Sequence, residues 1–179
     1  MRSFDELEQL WLESPPLPRD AGEVQLITVR VGGGAHRCPD RVMVSRELGV
    51  EGDRWSLKPD REVGAQITLM STRAAELVAA GEQPLDAPGD NFLVDLDLSV
   101  TALPPGSRLR LGGALIEISA LPHLGCSKFR ERFGPGALRW VNHEANRGRR
   151  LRGVNCRVVE DGPVAVGDRV AVVTRLAPS

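Results

Sequence analysis

Arg108-Leu-Arg-Leu111, Gly112-Gly113, Ala114-Leu-Ile-Glu-Ile118 is the stretch that decides the fold. In the first run charged and apolar residues alternate, the period of a half-buried strand, and an apolar run follows after a two-Gly turn. This reads as a β-hairpin. Working outward, Pro163–Val166 and Arg169–Val173 flank Gly167-Asp168, a pair suited to a type II′ turn, and read as a second hairpin. Further short strands are read over Glu23–Val31, Val42–Val44, Gln66–Met70, Phe92–Val94 and Gly153–Val159. Helices are few and short. Residues 4–13 set Phe4, Leu7 and Trp11 on one face before Pro15-Pro16, and Ser71 caps a helix that ends at Gly81. A basic helix follows Cys126, Gly134-Pro135-Gly136 breaks it, and residues 137–145 form another. No regular βαβ alternation is present, so a doubly wound parallel sheet is not expected. The fold class predicted is mainly β (α+β): a curved antiparallel sheet or β-barrel with short peripheral helices.

The 179 residues suffice for one domain, with 41% hydrophobic and 26% charged residues and a formal net charge of −1. Near-neutral charge, no Tyr, four Phe and three Trp argue against a nucleic-acid partner. No apolar run approaches the roughly 20 residues of a membrane span, and Met1–Glu6 has no signal core, so a cytoplasmic protein without a membrane partner is expected. Cys38, Cys126 and Cys156 are odd in number and form no CxxC pair, which points away from disulfides and structural zinc. Gly32-Gly33-Gly34 follows a strand but lacks the Gly-Lys-Ser/Thr ending of a phosphate loop, and reads as a flexible turn.

Chemistry concentrates at Leu121-Pro-His-Leu-Gly-Cys126-Ser-Lys-Phe-Arg-Glu-Arg-Phe133. A thiol at the start of a helix faces the positive end of the backbone dipole, and Lys128, Arg130 and Arg132 add positive charge, all favouring thiolate. His123, three residues earlier, is either a partner in a Cys–His nucleophilic pair or a packed, hydrogen-bonded histidine. Arg147, Arg149, Arg150 and Arg152 could form an anion site; for most of them a solvated loop balanced by Glu144, Glu160 and Asp161 is the simpler reading. Arg152 stands apart because it enters the Cys156 strand. Asp53 and Asn91 sit on turns, where polar side chains usually cap backbone. Cys156 reads as a core residue and Cys38 as an idle loop thiol.

In order along the chain, Gly52-Asp53-Arg54, the Gln66–Met70 strand, Pro88-Gly-Asp-Asn91, Leu103-Pro-Pro-Gly106 with Leu111-Gly112, Leu124-Gly-Cys126, Arg152-Gly153, and Gly162 with Val166-Gly-Asp168 resemble the MOSC domain. That is the module at the C-terminus of molybdenum cofactor sulfurases, and the resemblance is to stand-alone bacterial members of the YiiM type. It covers roughly residues 23–174, leaving 1–22 as an N-terminal helix and linker and 175–179 as a tail. The resemblance implies a β-barrel-like fold and a molybdenum cofactor pocket. It implies that Cys126 is a sulfur carrier or the metal's thiolate ligand, and that Arg152, Lys128, Asn91, Asp53 and Arg54 bind cofactor. It further implies either sulfur relay or reduction of N-hydroxylated small molecules, with a cysteine desulfurase or a reductase as partner. Pyridoxal phosphate is not expected on this chain alone. Two positions depart from the family: Trp55 stands where many members have His, and Gly89-Asp90-Asn91 replaces the usual Gly-Glu-Asn.

Overall fold

The computed structural model describes residues 1–177. Helix α1 (Phe4–Glu13) is followed by β1 (Ala21–Ile27), the β2 (Val29–Gly32) and β3 (Ala35–Arg37) hairpin, β4 (Arg41–Ser45) and β5 (Gly49–Val50). Then come β6 (Ile67–Ser71), α2 (Thr72–Ala79), β7 (Phe92–Val94), β8 (Arg108–Leu111) and β9 (Ala114–Ile118). Helix α3 (Ser127–Asn142) and strands β10 (Val154–Glu160), β11 (Gly162–Ala165) and β12 (Arg169–Thr174) complete the chain. Seven strands close a barrel in the order β1-β12-β8-β9-β10-β6-β7, with β7 returning to β1.

The β8–β9 hairpin forms as its alternation dictates. Leu109 lies opposite Ile116 and Leu111 opposite Ala114, all buried in the barrel core, while Arg108 faces outward and pairs with Glu117 at 3.0 Å. Gly112 turns the chain with φ 55°, a conformation glycine takes without penalty. Strands β6 and β7 are buried on both faces. Leu69 and Phe92 point into the barrel; Met70 and Leu93 point out, into a second core of Leu7, Val78, Phe133 and Trp140. The three helices therefore cover one side of the barrel. Helix α1 belongs to this layer: Ser3 and Glu6 form a capping box, Trp11 meets Trp140 edge-on at 6.0 Å, and Trp140 Nε1 donates to Glu8 at 2.9 Å.

Four local expectations are corrected. The barrel is mixed, because β6 and β7 run parallel with α2 as their crossover. Strands of five and three residues were too short to show that βαβ unit by period. Strands β11 and β12 do not pair: Gly162–Ala165 lies on β4, and β12 joins β1 and β8. A turn is present, but the Asp168 N–H donates to the Ala165 carbonyl at 3.1 Å, which sets Gly167 (φ 85°) at the second central position of a type II turn and not at the first of a type II′ turn. Asp168 Oδ2 accepts from the Ala165 N–H at 2.8 Å, and the strands leave the turn for different sheets. The predicted 23–31 strand is two, interrupted at Thr28, whose N–H donates to the Asn91 carbonyl at 2.7 Å. Finally, the break predicted at Gly134-Pro135-Gly136 is present, since α3 is two helical pieces separated at non-helical Gly134 (φ 85°, ψ 170°). The second piece, however, ends at Asn142 and not at Ala145, before a 3₁₀ stretch over Glu144–Arg149. Of the 175–179 tail, Arg175 is tied to Asp20 at 2.9 Å, and Pro178 and Ser179 lie outside the described residues.

Gly153 shows how tightly β10 is seated. Its φ is +102°, and a Cβ there would stand 2.1 Å from the Leu69 carbonyl oxygen. Gly153→Ala is therefore expected to cost at least about 2 kcal/mol in urea unfolding. Gly148→Ala, where a Cβ meets no described atom within 4 Å, should stay within about 0.5 kcal/mol of wild type.

Candidate functional site

The 121–126 segment leaves β9 and delivers Cys126 to the N-cap of α3. Asn142, at the far end of the same helix, pins the segment: its Oδ1 accepts from the Gly125 N–H at 2.8 Å and its Nδ2 donates to the Gly125 carbonyl at 3.0 Å. Cys126 is exposed, at the rim of a cavity of about 120 Å³. Partial burial pushes its thiol up. The N–H groups of Phe129 and Lys128 and the positive charge of Arg152 outweigh this, and the net pKa lies below the ordinary cysteine value. Sγ makes no formal capping hydrogen bond, so the N–H groups act through oriented partial charge.

The cavity gathers His123, Cys126, Lys128, Arg152 and Arg54, five of the seven residues singled out in the sequence. Arg132, a basic neighbour of Cys126 in the sequence, also lines it and Arg130 does not, while Arg30 and His36 join from outside that segment. No carboxylate residue lines it, and Arg54, Lys128 and Arg132 have no carboxylate within ion-pair distance among the described residues.

Asp53 and Asn91 do not line the cavity; they form its buried foundation. Asp53 accepts from Arg30 Nε and Nη2 at 2.9 Å each, and Asn91 Nδ2 donates to Asp53 Oδ2 at 3.0 Å. Asn91 Oδ1 accepts from the Thr68 N–H at 3.1 Å, and Asn91 Nδ2 also donates to the Thr28 carbonyl at 3.2 Å. Burial raises the Asp53 carboxyl, but the hydrogen bonds and charge of Arg30 lower it further, so it stays ionised. Asp90, one residue before Asn91, faces both Arg152 Nη1 and, at 3.5 Å, His123 Nδ1. Arg152 also donates to the Pro88 carbonyl at 3.1 Å and stacks over Phe129 at 5.2 Å. Its Nε is buried and has no hydrogen-bond partner among the described residues. Trp55 is buried; its Nε1 donates to the Glu62 carbonyl at 3.1 Å, and it is not a lining residue of the Cys126 cavity.

His123, which lines the same cavity as Cys126, is a largely buried imidazole. Burial pulls its pKa down to about 4, which Asp90 opposes and Arg152 and Arg30 reinforce, and the ring is neutral at pH 7. The arginine cluster differs from a solvated loop. Arg149 pairs with Glu8 at 2.6 Å, Arg150 donates to the Leu98 and Leu103 carbonyls, and Arg152 takes Asp90. Glu160 and Asp161 pair instead with Arg110 and Arg46. Cys156 is fully buried, and burial drives its thiol upward. Cys38 is exposed, and burial followed by the Asp86 charge raises its thiol. Cys126 alone of the three is shifted toward thiolate.

A closed seven-stranded barrel agrees with what comparison with known proteins gives. The MOSC domain sequence model matches residues 63–171, and the chain belongs to the MOSC domain family. The fold is similar to the crystal structure of YuaD from Bacillus subtilis, with TM-score 0.63 and 17% identity over 88% of this chain and 98% of that one. It is also similar to YiiM from Escherichia coli, with TM-score 0.59 and 20% identity over 87% and 71% of the two chains. YiiM from Geobacillus stearothermophilus gives TM-score 0.58 and 18% identity over 89% and 76%. No curated protein matches the chain by sequence. Among the described residues no helix is long and apolar enough to cross a membrane.

Two outcomes follow. The rate of Cys126 alkylation by iodoacetamide, followed against pH, should show a midpoint below the ordinary cysteine value. His123→Ala should leave it within about 0.3 pH units, because a neutral ring contributes no charge. Folding stability should also respond to His123. Its folded pKa lies below the unfolded value of 6.5, so its contribution is whole above about pH 6.5 and is lost as pH falls toward 4. The loss amounts to about 3 kcal/mol by pH 4. His123→Gln should flatten urea-midpoint curves across that window relative to wild type.

Proposed function

We propose that this protein binds molybdenum cofactor with Cys126 as the thiolate ligand of the metal. The reading is carried by one observation: an exposed thiol, shifted toward thiolate, stands in a cavity with several cations and no carboxylate on its wall. The donor set fits such a group. Thiolate is a soft ligand suited to a metal that also takes sulfur from its own cofactor. Among the described residues no cluster of three or more His, Cys, Asp or Glu is placed to hold a metal ion, so the cofactor would bring the remaining donors itself.

In this arrangement Lys128, Arg132 and Arg54 would hold the cofactor's anionic phosphate, and Arg152 would offer its unpaired Nε. The buried Arg30–Asp53–Asn91 network keeps the cavity wall rigid. His123, held neutral, keeps a ring nitrogen available for hydrogen bonding without adding charge beside the thiolate. When bound, the cofactor supplies a redox centre, for which the proposed substrates are N-hydroxylated small molecules and the proposed electron source a reductase partner.

The exposure of Cys126 favours a second reading, in which it carries sulfur as a persulfide received from a cysteine desulfurase. Both readings suit a cytoplasmic setting, where thiols stay reduced. Molybdenum and pterin content of protein from a cofactor-competent host decides between them. Cofactor in wild type, with at least a tenfold loss in Cys126→Ser, is expected for ligation. Equal content in both overturns the ligand role, and a trapped Cys126 persulfide without molybdenum establishes the carrier.

A further inference from the structure

A second and larger cavity lies across the 121–126 segment from Cys126, with a volume of about 400 Å³. His123 and Arg152 line both cavities; Arg147, Arg150, Leu124 and Val141 line only the larger one. Its chemistry is two-sided. Val141 and Val154 form a buried apolar base, and Leu121 and Leu124 are large apolar side chains left 38% and 55% exposed beside it. The polar side consists of three guanidinium groups with no carboxylate residue among the lining.

These guanidiniums differ in what holds them. Arg152 is compensated by Asp90, yet its Nε is buried without a partner and its side chain is only 10% exposed. Arg150 is tied through Nη1 to the carbonyls of Leu98 and Leu103, which fix its position without neutralising its charge. It sits in the left-handed region at φ 50°, an uncommon setting for a residue other than glycine. Arg147 is exposed and makes no side-chain hydrogen bond or ion pair with the described residues. Two uncompensated cations therefore face an apolar surface, in a volume within the roughly 300–1,000 Å³ typical of small-molecule sites.

We propose that this cavity is a binding site of its own for a small organic anion. The carboxylate or phosphate head would lie on Arg147 and Arg150, and the apolar body against Leu121, Leu124 and Val141. A guanidinium recognises either head group through paired N–H donors, and the apolar base favours an aromatic or short aliphatic body over a bare inorganic ion.

Isothermal titration of the full chain with benzoate, phenyl phosphate and uncharged benzamide tests this. Saturable binding of one or both anions is expected, with benzamide at least about tenfold weaker. Arg147→Gln removes a cation that makes no side-chain hydrogen bond or ion pair with the described residues and should weaken anion binding by about fivefold or more. Leu124→Asp, which sets a carboxylate at the mouth, should do the same. Cys126→Ser should bind the anions within about twofold of wild type, which separates this site from cofactor ligation. No saturable binding of either anion up to ~10 mM overturns the proposal, as does benzamide binding as well as benzoate. So does a loss of bound pterin in Arg147→Gln, since the cavity would then hold the cofactor's phosphate.

Discussion

The Arg30–Asp53–Asn91 network is the constraint on which the rest of the structure depends. It joins the start of β2, the turn before Trp55, the middle of β6 and the entry to β7 through hydrogen bonds of 2.9–3.2 Å. Asp53 and Asn91 are almost wholly buried, and removing one partner of a buried ion pair costs about 3–5 kcal/mol, a large share of the roughly 5–15 kcal/mol that holds a domain folded. The network also positions Asp90, the residue before Asn91, which holds Arg152 and faces His123. The support of the site and the closure of the barrel at β7 thus share one set of side chains.

Charge in the site is layered. Arg30 and Arg152 are neutralised by buried carboxylates, so the fold tolerates them, while Lys128, Arg132 and Arg54 keep their charge for whatever enters. Cys126 sits between these layers and takes its shift from local dipoles and from Arg152. Membership of the MOSC family gives this arrangement its context, and the proposed cofactor, soft and anionic, matches the thiolate and the free cations in character.

Much of the fold was legible in the sequence because the barrel relies on short-range signals. The alternation over 108–118, the shared face of Phe4, Leu7 and Trp11 and the glycines at turns each act within a few residues. The illegible parts depend on distant partners. Nothing local shows that 162–165 pairs with β4 and not with the strand five residues on, or that β6 and β7 run parallel. The site follows the same division. Cys126 and its basic neighbours could be read from helix position and charge. Arg30 and Asp90 could not, since each gains its role only when β2 and the 88–91 turn come together. Asp53 and Asn91 were legible as turn residues, and the structure places them beneath the cavity, outside its lining.

In the proposed arrangement Cys126 Sγ is a ligand of molybdenum. Replacing that sulfur with selenium by selenocysteine substitution at position 126, followed by X-ray absorption at the molybdenum edge of the cofactor-loaded protein, tests it directly. A selenium neighbour in the first shell of molybdenum is the result predicted. A molybdenum shell identical to that of the unsubstituted protein would contradict it.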